Sequence, residues 1–558
     1  MREDLQSQAT GWRKSAGARQ GGPFSMDAKT GMKAEVHVAR GGTGEVSDDF
    51  FRAKDPVIVV IFGASGDLSK RKLIPALYHL QNAGYLPDRY AVVGFSRTDM
   101  SDEEYRDHML KALQEQVEDG AQVIQTNHPL IRALHYQPGN ADDLESFKKL
   151  REKLDQLDAD HELAGNRLFY LSVAPELFTP IIQNLCTAGL ICGRHDKAWS
   201  RVIIEKPFGK DLESARKLNA DVTALLDESQ IYRIDHYLGK ETVQNILSFR
   251  FGNSIFEPLF NRKYVENIQL TVAETLGMEG RRGAYYDTAG ALRDIVQNHM
   301  LQLLCLIAME PPAALDAQSI RDEKVKVLRA VVPFSREEVA ASTVRGQYGE
   351  GECDGTRVKG YRQEEGVDAQ SVTETYVALR LTIDNWRWAS VPFFLRTGKR
   401  LAKRVSEIAV EFKQPPLHLF RPLTNEASSK QPRPKSNVLV LRIHPDEGIS
   451  LSFACKQPGM RIQLEDVEMD FFYERAFQQR SPEAYERLLL DALRGDASLF
   501  TRSDEVEYAW RFISSIHEGW AQLPPPTFPN YCPFTAGPDE ANRLMHGTQA
   551  RWRSLSEM

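Results

Sequence analysis

Val57-Ile-Val-Val-Ile-Phe62 is an unbroken apolar run between Pro56 and Gly63, the pattern of a strand covered on both faces. The turn Gly63-Ala-Ser-Gly-Asp-Leu68 follows. A helical pattern then brings Leu73, Leu77 and Leu80 to one side, with Pro75 suited to its first turn. Tyr90–Phe95, Leu168–Val173 and Val202–Glu205 repeat the strand pattern, with amphipathic stretches at Leu177–Ala188 and Leu212–Leu226. Strands alternating with helices predict βαβ units and a parallel sheet. After about residue 233 the pattern changes. Period-two alternation appears at Asn267–Ala273, Thr373–Ile383, Glu407–Phe412, Asn437–Ile443 and Ile449–Phe453, and one strong helix runs from Leu292 to Met309. Consecutive strands with few helices between them predict a large, mainly antiparallel sheet. The expected fold is therefore α/β followed by α+β. Its segments are a flexible extension (1–52), an open parallel domain (53–233) and a β+α domain for substrate binding and oligomerisation (234–558).

The first fifty residues hold eight Gly, seven positive and seven negative charges, too little apolar surface to offset ordering entropy. Met26 leaves the start codon open. The whole chain has 558 residues and a net charge of −7, which excludes a generally polybasic nucleic-acid or membrane binder but permits a local cationic pocket. The longest apolar stretch, Met300 to Met309, is too short to span a bilayer. Six cysteines without a C-x-x-C or a His/Cys cluster give neither a disulfide scaffold nor a zinc module. With no apolar leader, these features predict a cytoplasmic protein without a bound metal.

Candidate chemistry sits at strand ends. Gly63 and Gly66 open a βα turn able to face a phosphate with backbone N–H groups, although the G-x-G-x-x-G spacing is absent and a tight turn without ligand fits as well. Arg97 occupies the end of the second strand, where NAD binders place a carboxylate. An Arg there suits a 2′-phosphate, which favours NADP. Lys206, held extended by Pro207, should lie at the carboxyl edge of the sheet; a surface lysine in a salt bridge is the alternative. His236 and Lys240 are four apart, with Tyr237 between, and on a helical turn the three would offer phosphate donors on one face. His299 lies on the apolar stripe of its helix and should be buried, which also fits a satisfied core histidine. Asp294, about 140° away round an α-helix, is not its same-face partner.

Gly63-Ala-Ser-Gly-Asp-Leu68, Glu205-Lys-Pro-Phe-Gly209, Arg233-Ile-Asp-His-Tyr-Leu-Gly-Lys-Glu241, Arg293-Asp-Ile-Val-Gln-Asn-His299 and Arg396-Thr-Gly-Lys399 together resemble the glucose-6-phosphate dehydrogenase family, from about residue 56 to 535. The resemblance implies a Rossmann-like NADP domain followed by a β+α domain. It also implies oxidation of β-D-glucose 6-phosphate at C1 to 6-phosphoglucono-δ-lactone with NADP⁺, the first oxidative step of the pentose phosphate pathway, in a homodimer or homotetramer. Carried over, His299 is the base and Asp235 orients it, with Lys206 also catalytic. His236, Tyr237, Lys240 and Arg404 hold the 6-phosphate; Glu274, Asp294, Lys206 and Lys399 bind sugar hydroxyls. Gly63, Ala64, Ser65, Gly66, Asp67, Leu68, Arg97 and Lys206 bind the cofactor. Some members hold a second, structural NADP. Arg396 and Arg442 match that pocket, but Val405, Ser450 and Ser452 replace its Lys, Tyr and Lys, so tight binding there is not expected. Phe178 replaces a cofactor-contacting Tyr, and His444 a Gln near the sugar. Competing readings are another NAD(P)-dependent sugar dehydrogenase, which shares the Glu-Lys-Pro strand end, and a non-catalytic NADP sensor.

Overall fold

The computed structural model describes residues 51–116, 124–193, 196–278, 283–353, 355–417, 419–420, 435–460, 462–478 and 480–555. The expected mobile extension falls outside the described residues. Strands β1 (Val57–Phe62), β2 (Tyr90–Ser96), β3 (Leu134–Pro138), β4 (Arg167–Leu171), β5 (Ser200–Ile204) and β6 (Ile231–Ile234) form a parallel sheet in the order 6-5-4-1-2-3. Every residue of β1 is buried. Ile58, Val60 and Phe62 enter one core and Val57, Val59 and Ile61 a second on the opposite face. That two-sided burial is what an unbroken apolar strand achieves; each large aliphatic or aromatic side chain so covered contributes about 1.5–3 kcal/mol. Strand order reverses between β4 and β1, which opens a crevice at their carboxyl ends.

The second sheet has eight strands. They are β7 (Val265–Ala273), β8 (Thr343–Gly346), β11 (Tyr376–Thr382), β12 (Pro392–Gly398), β13 (Val405–Phe412), β14 (Val438–His444), β15 (Gly448–Lys456) and β16 (Leu464–Phe472), in the order 16-15-14-13-7-12-11-8. All neighbours are antiparallel except β7 and β12. A small hairpin, β9 (Gly351–Cys353) with β10 (Thr356–Val358), stands apart. The register aligns the ends of β7, β12 and β14 with the start of β13, so Glu274, Lys399, His444 and Arg404 gather at one end of the sheet. The helical rod Leu292–Met300 and Leu301–Ala308 packs on this sheet, and its Leu292, Val296, Met300 and Leu303 share one core with Phe62, Ile204, Ile268 and Leu270. One continuous core thus joins the two sheets.

Two features depart from the expected order. Strand β17 (Phe500–Thr501) pairs antiparallel with β6 and becomes the edge of the first sheet. The helix Ala484–Arg494 packs beside it, with Leu488, Leu489 and Leu493 in the second core of the parallel domain. Among the described residues no helix is long and apolar enough to cross a membrane.

Candidate active site

The turn after β1 brings backbone close to backbone. Gly63 has φ +78, and a Cβ there would lie 2.0 Å from the Ser172 carbonyl oxygen, so only glycine fits. Its N–H donates to Phe95 O (2.9 Å) and its carbonyl accepts from Gly66 N (2.9 Å). Ala64 is buried, Ser65 and Leu68 are partly so, and Gly66 and Asp67 are exposed at the start of the helical segment Ser69–Leu73. Ser65 Oγ meets Ser96 Oγ (3.0 Å) and accepts from Thr98 Oγ1 (3.3 Å), which ties this turn to the loop carrying exposed Arg97. A cradle that a Cβ would fill, with an exposed guanidinium beside it, suits a dinucleotide bearing a 2′-phosphate. Phe178 is fully buried in the core.

Lys206 follows β5, and the Lys206–Pro207 peptide is cis. Its ammonium donates to Asp294 O (3.1 Å) and Asp294 Oδ1 (3.3 Å) and lies 3.1 Å from His299 Nε2. The 140° argument fails here because Leu292–Met300 is wound as a π-helix. Hydrogen bonding from i to i+5 sets residues five apart nearly above one another, so Asp294 and His299 share the lysine. Asp235, directly after β6, accepts from His299 Nδ1 (2.5 Å) and from the Tyr237 backbone N–H (3.0 Å).

Both members of that pair are buried, His299 1% and Asp235 3% exposed. Burial lowers the His299 imidazole below its ordinary pKa; Lys206 adds to this and Asp235 opposes it. Burial alone would raise the Asp235 carboxyl, but its interaction with His299, aided by the Lys206 ammonium, outweighs it and holds the group ionised. The pair therefore rests as neutral imidazole and carboxylate. Asp235, His236 and His299 each present one potential metal-ligand atom within 4.8 Å of the others. The Asp235–His299 bond and the adjacent ammonium already use the ring nitrogens of His299, and that positive charge opposes a cation.

Residues 236–240 form successive turns rather than the expected helical turn. Leu238 N donates to Asp235 O (3.0 Å) and Lys240 N to Tyr237 O (3.1 Å), and the helix begins only at Glu241. The three side chains meet nevertheless. Tyr237 stacks on His299 (4.2 Å, 16°), His236 meets His299 edge-on (4.5 Å, 77°), and Lys240 Nζ lies 4.1 Å over the Tyr237 ring. Burial, then His299 and Lys206, push His236 well below its usual pKa. Burial also lowers Lys240 and raises the Tyr237 phenol to about 12. Arg404 is exposed and acts electrostatically on Tyr237, Lys240 and His444. Lys399 pairs with Glu274 at the adjoining sheet end.

Ser406, Tyr170 and Tyr485 had no sequence signal. Ser406 Oγ meets the Tyr237 hydroxyl (3.2 Å), and Glu205 accepts from the Tyr170 hydroxyl (2.5 Å) with Tyr485 facing the same carboxylate. His444 lies opposite Ser406 in the sheet; burial, Arg404 and Lys240 lower its imidazole below the ordinary pKa. Arg396 donates to Arg553 O (2.7 Å) and lies over Trp552, while Arg442 pairs with Asp470 (3.4 Å), so this chain engages both cations itself.

A parallel sheet with a glycine cradle, joined to an antiparallel sheet by a buried His–Asp pair, defines a dinucleotide-dependent dehydrogenase. Residues 60–245 match the family model for the glucose-6-phosphate dehydrogenase NAD binding domain, and 247–553 match its C-terminal domain. The chain belongs to the glucose-6-phosphate dehydrogenase family. It is 47% identical over 506 residues to glucose-6-phosphate 1-dehydrogenase of Chlamydia pneumoniae, covering 90% of this chain and 97% of that one. Identity to the Bacillus subtilis enzyme is 42% over 498 residues (89% and 98%). A solved glucose-6-phosphate dehydrogenase in complex with glucose 6-phosphate superposes with a TM-score of 0.79 at 33% identity, over 90% of this chain and 99% of that one.

Proposed function

We propose that this protein oxidises β-D-glucose 6-phosphate at C1 to 6-phosphoglucono-δ-lactone with NADP⁺. The observation that supports this most directly is the His299 imidazole held between Asp235 and Lys206, beside the hydrogen-bond donors His236, Tyr237 and Lys240. His299 Nδ1–H donates to Asp235, so Nε2 keeps the lone pair that takes the C1 hydroxyl proton. Asp235 stabilises the imidazolium that forms. Lys206, already at Nε2, turns to the C1 oxygen as it gains alkoxide character and favours that charge. His236, Tyr237, Lys240 and Arg404 bind the 6-phosphate. Glu274, Asp294 and Lys399 take sugar hydroxyls, so binding energy far from C1 fixes the reacting geometry. The Gly63–Leu68 turn, Arg97 and Lys206 hold NADP. When bound, the cofactor supplies the nicotinamide ring that accepts hydrogen from C1.

The same reading divides the chain at 233/234, assigns association to the second domain as a homodimer or homotetramer, and places the protein in the cytoplasm. Steady-state kinetics with glucose and glucose 6-phosphate, each with NADP⁺ and NAD⁺, tests the reading. Turnover should require the phosphate and favour NADP⁺; glucose oxidised as efficiently as its 6-phosphate would overturn it.

A further inference from the structure

Glu205 and Lys206 are neighbours at the end of β5, and consecutive residues of an extended chain point to opposite faces. Along β5, Val202 and Ile204 enter the core shared with the His299 helix, and Ile203 enters the other. Lys206 continues the first set into the cleft, and Glu205 continues the second, away from it. Behind the cleft, Glu205 Oε1 accepts from the Tyr170 hydroxyl at 2.5 Å, and the Tyr485 hydroxyl faces the same carboxylate. Burial raises the Glu205 carboxyl and both phenols, so the phenolic protons remain in place as donors.

Tyr170 belongs to the adjacent β4. Tyr485 arrives from the second domain, in the first turn of the helix Ala484–Arg494. That turn is fixed against the site from two sides. Glu483 pairs with Lys72 (2.8 Å), and Gly239 lies so close that a Cβ would come within 2.5 Å of the Ala484 carbonyl oxygen. The Tyr485 ring also lies parallel to His236, 6° between planes and 6.4 Å between centroids.

We propose that Tyr485 is a positioning residue with two separable actions. Its hydroxyl, with that of Tyr170, holds Glu205 and so fixes the backbone from which Lys206 projects, while its ring backs His236. This rests on the dehydrogenase reading above. The hydroxyl then governs kcat through Lys206, and the ring governs KM for the sugar phosphate through His236.

The test compares Tyr485→Phe, which loses only the hydroxyl, with Tyr485→Leu, which loses both groups. Wild-type turnover of glucose 6-phosphate first tests the underlying reading. Tyr485→Phe should lower kcat about tenfold and leave KM within about twofold; Tyr485→Leu should lower kcat similarly and raise KM about tenfold. Glu205→Ala should match Tyr485→Phe, and the double variant should be no worse than Glu205→Ala alone. Glu205→Gln, which still accepts through its amide oxygen, should recover most of kcat. Wild-type kcat in Tyr485→Phe, additive losses in the double variant, or loss proportional to unfolded protein would each overturn the proposal. If the wild-type chain fails to turn over the sugar phosphate, the reading falls but the positioning remains measurable. Tyr485→Leu must then shift the NMR titration of the His236 ring, and an identical titration would overturn it.

Discussion

The two nitrogens of His299 face opposite charges, a carboxylate at Nδ1 and an ammonium at Nε2, and the pH dependence of the reaction follows from that placement. In the proposed role of base only the neutral ring accepts a proton, so kcat/KM should fall as acid protonates it. Because burial and Lys206 depress the ring despite Asp235, the acid limb should have its midpoint below the ordinary histidine value of about 6.5. Asp235→Asn removes the opposing charge, which should move that midpoint further toward acid and cut kcat about 10²–10⁴-fold. A pH–rate profile checks both, and an unmoved limb contradicts the assignment. His299→Asn should abolish turnover while leaving KM for the sugar phosphate within a few-fold, measured by steady-state kinetics. At the far end of the site, Arg97→Ala should erode the NADP⁺ over NAD⁺ preference about tenfold or more, read as the ratio of kcat/KM values. The apolar stripe was enough to predict that residue 299 is buried. Its carboxylate partner lies 64 residues earlier, a separation that no local spacing encodes, and only the family resemblance pointed to it.

At the scale of elements, the helix from Leu292 to Met309 was legible from its stripe, but its winding was not. Side-chain pattern reports which face is apolar, whereas the shift from i+4 to i+5 bonding depends on what surrounds the rod, here Lys206 reaching in toward the Asp294 carbonyl. β12 escaped notice because the buried Arg396 and Thr397 break its apolar run, while burial of all seven residues leaves no alternation. β16 escaped because none is. The helix Ser503–Ala521 offers a stability test. His517 is held by burial, with Arg293 and Arg345 nearby, at a pKa of about 3. Between that value and about 6.5, the unfolded chain binds the extra proton, so stability falls with falling pH, by up to about 1.4 kcal/mol per unit. Replacing His517 with Leu should flatten the decline in Tm between pH 6 and 4, in the range of about three to six and a half where the linkage acts; an unchanged slope in calorimetry would exclude this contribution.

For the molecule as a whole, alternation of strands and helices in the first third, and of strands alone later, was sufficient to predict two sheets of different type. How their ends meet was beyond the pattern, because the proposed catalytic groups come from the ends of β5 and β6, a π-helix and the far sheet's rim. The outer strand β16 presents Met469 to solvent, with Ile462 and Phe477 exposed nearby, as expected of a surface that pairs with a second copy. Light scattering should therefore give a molar mass of at least twice that of the 63.2 kDa chain; a monomer at micromolar concentration would refute the assigned association.

β17 closes the border of the parallel sheet from near the other terminus. A graft that transplants only residues up to 245 into a foreign dehydrogenase would expose the raw amide edge of β6 and strip the cover from Leu488's side of the nucleotide module. Exchange of parts between such enzymes must therefore take the 484–501 return along with the amino-terminal piece.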